Sequence, residues 1–131
     1  MGRDLLCRGL EKVRITILKI KNNIIFYRNK VLIKGYTLYE TLFNRKIFRL
    51  NTKRERLCSQ VKDAVTAINL ITVYGGENSN KKIMNQSVST LNNARVSKTL
   101  IEESINIAYH KLHSLEEKRM NLVKINLILR P

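Results

Sequence analysis

The chain has 131 residues, enough for one domain or a small domain with an appendage. Its 44% hydrophobic content is that of a globular chain, and with five glycines and one proline it excludes collagen-like, proline-rich and fully disordered classes. Lys and Arg number 25 against 10 acids, a formal charge of +15, and the excess is uneven: residues 1–62 carry sixteen cations and four acids, residues 63–131 nine and six. A cationic front half favours phosphate-bearing partners, either nucleic acid or an anionic membrane face.

Residues 1–34 admit two readings. Val13, Ile15 and Ile17 alternate with Arg14 and Thr16, a strand-like period, and Asn22-Asn23 would turn the chain into Ile24–Tyr27 and Val31–Ile33. The same residues would also make short basic helices. The basic residues from Arg3 to Lys21 weakly resemble a mitochondrial presequence, although serine is missing. No stretch approaches the roughly 20 apolar residues of a membrane span, Ile24–Tyr27 being the longest near-apolar run. Leu6 in place of Ser or Thr breaks the myristoylation pattern after Gly2.

Residues 36–50 predict an amphipathic helix, with Tyr36, Tyr39, Leu42, Phe43, Ile47 and Leu50 on helical spacing. Residues 53–74 continue it through Leu57, Val61, Val65, Ile68 and Ile71, with Ala64 and Ala67 favouring helix. Gly75-Gly76-Glu77-Asn78-Ser79-Asn80 then reads as a linker over about 75–82, since paired glycine with Asn and Ser favours turns.

Residues 83–131 predict one long helix, its start capped by Ser87, Ser89 or Thr90. Apolar residues recur at Leu91, Ala94, Ile101, Ile105, Ala108, Leu112, Leu115, Leu122, Ile125 and Leu129, in steps of three, four and seven. That is a heptad seam, and a stripe of two positions per heptad needs partner helices to cover it. A charged interruption at Lys118-Arg119 costs stability and selects register or partner.

At these residues the sequence resembles the Vti type of vesicle-transport SNAREs. Glu103-Ser104 precedes Ile107-Ala108, where the family has an Ile-Gly pair; Leu112 and Leu115 fall on its leucine positions, Arg119 on its arginine, and Leu122 closes the run. The resemblance implies a mainly α protein with a small N-terminal helical bundle followed by a coiled-coil helix. The division would be a basic helical domain over 1–74, a linker over 75–82 and a SNARE-like helix over 83–131. It further implies vesicle-mediated transport and membrane fusion on the cytoplasmic face of Golgi or endosomal membranes, or in the cytosol, through a four-helix bundle with partner SNARE helices. Lys118 would hold the central polar layer, where the family has Gln or Asp, and the seam residues above would be the partner-helix interface. The helix stops at Pro131, short of the family's full motif and its C-terminal anchor.

The alternative is a basic helical RNA-binding protein, such as an organellar ribosomal component, with a mitochondrial location. Tyr27, Tyr36, Tyr39, Phe43 and Phe48 among the cations would stack on bases. No RNP-type aromatic motif, GxxG loop or paired Cys/His finger accompanies them. No enzyme, cofactor or metal site is expected. His110 and His113 have helical ligand spacing but no third ligand beside them, and two cysteines, Cys7 and Cys58, read as free thiols.

Overall fold

The structure is a computed structural model that describes residues 2–74 and 81–130. They form two helices, α1 (Gly2–Tyr74) and α2 (Lys81–Leu129), and no strand occurs among the described residues. The architecture is therefore mainly α. Residues 13–33, for which strands were one expectation, lie within α1. In place of a small bundle over 1–74 there is one unbroken helix. The proposed linker falls largely on residues 75–80, outside the described residues, and Lys81 and Lys82 already belong to α2. Ser87, Ser89 and Thr90 lie inside α2, so none of them caps its start.

Two causes let these sequences stay helical. No proline precedes Pro131, so nothing removes a backbone donor or clashes with the preceding turn. The threonines satisfy their hydroxyls locally: Thr16, Thr37, Thr41, Thr52, Thr66, Thr72 and Thr99 each donate to the carbonyl four residues back, at 2.8–3.0 Å. The deciding term is the inward face. From Phe26 onward every a position of α1 (Phe26, Ile33, Glu40, Ile47, Arg54, Val61, Ile68) and every d position (Asn29, Tyr36, Phe43, Leu50, Leu57, Ala64, Ile71) is buried or half-buried. A strand would have divided this set between two faces.

The chain comprises two compact units. One joins α1 up to Thr41 with α2 from His113 onward. Here α1 and α2 run antiparallel, as the pairings Asn29 with Asn126 and Glu40 with Arg119 require. The other unit is Leu42–Leu112. Its core is Ile47 against Ala108 and Leu112, with Phe43 packed beside them. Ala64, Leu91, Ala94 and Ile105 are buried there as well. No described helix is long and apolar enough to cross a membrane.

Candidate functional site

The candidate site is the seam of α2. Its inward residues follow unbroken steps of three and four: Met84, Ser87, Leu91, Ala94, Lys98, Ile101, Ile105, Ala108, Leu112, Leu115, Arg119, Leu122, Asn126 and Leu129. Leu91, Ala94, Ile105, Ala108, Leu112 and Asn126 are buried, and the others are half-buried. Of the residues expected at the interface, Leu91, Ala94, Ile101, Ile105, Ala108, Leu112, Leu115, Leu122 and Leu129 lie on this face. Lys118 and Ile125 do not: Lys118 is exposed, and Ile125 is 43% exposed. Arg119 and Asn126, one residue on in each case, take the inward places.

Both of these polar residues are matched from α1. Arg119 Nε donates to both carboxylate oxygens of Glu40, at 2.9 and 2.8 Å. Glu40 is buried, while the Arg119 side chain is 32% exposed. Asn29 Nδ2 donates to Asn126 Oδ1 at 3.1 Å, and Asn126 Nδ2 donates to the Phe26 carbonyl at 3.2 Å. Among the described residues no buried side-chain nitrogen or oxygen lacks a partner. Buried polar layers of this kind cost stability relative to leucine and fix register. At another polar position Lys98 stays half-buried and pairs along α2 with Glu102 at 3.9 Å.

In the same unit as the Asn layer, a groove of about 410 Å³ is lined by the apolar Phe26, Ile33, Val123 and Leu127, by Asn126, and by the cations Lys30, Lys34 and Arg130. Lys30 Nζ lies 5.1 Å from the Phe26 ring centroid and 5.8 Å from that of Tyr27. The two rings meet edge to face at 5.4 Å.

The remaining candidates sit apart from the seam. His110 and His113 are exposed, and His113 Nε2 lies 3.1 Å from Glu117 on the next turn. Among the described residues no three His, Cys, Asp or Glu side chains gather as a metal set. Cys7 and Cys58 are exposed free thiols. Of the aromatic residues expected to stack on bases, Tyr27, Tyr39 and Phe48 are exposed, whereas Tyr36 and Phe43 face inward.

Apolar patterning alone passes over Glu40, Asn29, Arg119 and Asn126. Strict heptad counting from Leu112 reaches Arg119 and Asn126, and that spacing is present in the sequence. Nothing in the sequence names Glu40 and Asn29 as their partners. No protein-family model, curated protein or solved structure matches the chain.

Proposed function

We propose that the chain acts by coiled-coil assembly with partner helices, in the manner of the vesicle-transport SNAREs that α2 resembles. The observation that carries this reading is the seam of α2, unbroken from Met84 to Leu129 on one continuous helix. A single covering helix leaves Ile101, Leu115, Leu122 and Leu129 half-buried. Further helices would remove the rest of that surface from water, worth about 25 cal/mol per Å². In this reading α1 covers the α2 seam in the resting chain, and assembly exchanges it for partner SNARE helices. Lys118 then lies beside the polar layer and Arg119 within it, one residue on from where the resemblance puts the central layer. The cytoplasmic face of Golgi or endosomal membranes is the location that goes with this reading.

A second reading, RNA binding, draws support from Tyr27, Tyr39 and Phe48, all exposed along the cationic α1. Salt separates the two. The test is to mix the full chain with three complementary SNARE helices and measure mass by light scattering and helicity by circular dichroism, at low and high salt. A complex that gains helicity and survives 1 M salt supports SNARE-type assembly. Absence of any complex removes that reading. RNA affinity that falls steeply with salt would then carry the alternative.

A further inference from the structure

The face of α1 turned away from α2 carries its own heptad pattern. Leu6, Leu10, Val13, Ile17, Ile20, Ile24, Tyr27 and Val31 follow alternating steps of four and three, and all eight are exposed, by 48% to 70%. Relative to the seam that meets α2, these are the b and f positions, which in a two-helix coiled coil ordinarily face solvent and are polar. Every residue from Gly2 to Ile24 is exposed, so over that stretch this is not a back face to a covered front. The stripe spans about 38 Å at 1.5 Å per residue.

We propose that this stripe is a second coiled-coil seam and that it docks an acidic, heptad-patterned helix. The width of the stripe argues for a helix as the occupant. Leu5, Ile15 and Leu18 are exposed as well but lie singly off the stripe. The continuous row has two positions per heptad, a seam that fits the ridge of one helix, whereas a helix lying in a bilayer surface presents a broader continuous apolar face. The flanking charges specify the partner's sign. If the stripe supplies the a and d positions, one flank is Arg14, Lys21 and Arg28, spaced seven apart along the edge where interhelical ion pairs form. Among the described residues none of these three has a carboxylate within ion-pair distance. The other flank, Gly9, Thr16, Asn23 and Lys30, carries no acid either. A second copy of α1 would set this cationic row against its own kind, which disfavours self-pairing. A helix with Leu or Ile in its seam and Glu along its edges meets both requirements. The inference rests on α1 alone and stands whether or not α2 joins partner SNARE helices.

The test titrates the full chain into two labelled synthetic helices of four heptads, both with Leu and Ile at a and d. One has Glu at e and g, the other Lys. The acidic helix should bind and the basic one should not. Reversing the flank with Arg14→Glu, Lys21→Glu and Arg28→Glu should weaken the acidic helix at least tenfold and let the basic helix bind. Ile17→Asn with Ile20→Asn should abolish binding of both, with circular dichroism reporting that the two helices persist. Equal affinity for the two synthetic helices, or none for either, overturns the proposal. Acidic-helix binding that survives both sets of substitutions would put the peptide on the α2 seam and overturns it equally. Stripe-dependent binding to phosphatidylglycerol vesicles without binding to the acidic helix would make the occupant a lipid surface, against the proposal.

Discussion

The layer formed by Asn29 and Asn126 gives the sharpest quantitative test of the seam. Asn29 is 4% exposed and Asn126 8%, and the two amides share one hydrogen bond of 3.1 Å. Changing Asn126 alone to Leu gains apolar burial of about 1.5–3 kcal/mol. It also strands the Asn29 amide, at about 1–3 kcal/mol. The two terms nearly cancel, and the same reasoning holds for Asn29→Leu alone. Changing both removes the stranded group and keeps both gains, so the double variant should be more stable than the sum of the singles by twice the stranding cost, about 2–6 kcal/mol. The measurement is urea unfolding followed by far-ultraviolet circular dichroism, with the slope against denaturant held common to the four proteins. Light scattering on the same samples should show a broader spread of assembly sizes for the double variant than for the parent, because the register-setting pair is gone. Additivity within about 0.5 kcal/mol would refute the reasoning, since it would mean that the two amides do not satisfy each other.

Other outcomes follow from single positions. Ala108 is 2% exposed in the Ile47 cluster, so Ala108→Leu should overpack it and cost about 1–3 kcal/mol in thermal or urea unfolding. Glu40→Gln keeps the shape of the layer but removes the charge facing Arg119. With the arginine side chain 32% exposed, the cost should be about 1–2 kcal/mol, and unfolding at low and high salt should show it shrinking as salt rises. Gly35 sits inside α1 with open space where a Cβ would go, so Gly35→Ala should stabilise the chain by about 0.5–1 kcal/mol, read as a rise in urea midpoint.

The spacing of Leu91, Ala94, Ile105, Ala108 and Leu112 made α2 legible from sequence, because each is an apolar residue at an inward place. Selecting apolar residues alone fails where the inward place is polar. The step of seven from Leu115 to Leu122 conceals Arg119, and Ile125 draws the pattern one residue short of Asn126. In α1 the same habit favours Tyr39 and Leu42, both exposed, over Glu40, which is buried. The strand reading of residues 13–33 had a different cause. β-Branched residues lean towards strand, yet over residues 26–33 propensity is a weak term beside a face that packs Phe26, Asn29 and Ile33 inward. The second stripe on α1 was legible in principle from Leu6 to Val31. It becomes meaningful only once residues 2–24 are known to be exposed on every face.

The row of Arg14, Lys21 and Arg28 beside that stripe also bears on the colloidal behaviour of the protein. An exposed line of Leu, Ile and Val invites copies to stick, and at low ionic strength the surrounding cations keep them apart. The Debye length falls from about 10 Å at 0.1 M salt to about 3 Å at 1 M, while apolar attraction persists. Purification in high salt, the usual remedy for a basic protein that carries nucleic acid, would therefore remove the repulsion that keeps this chain dispersed.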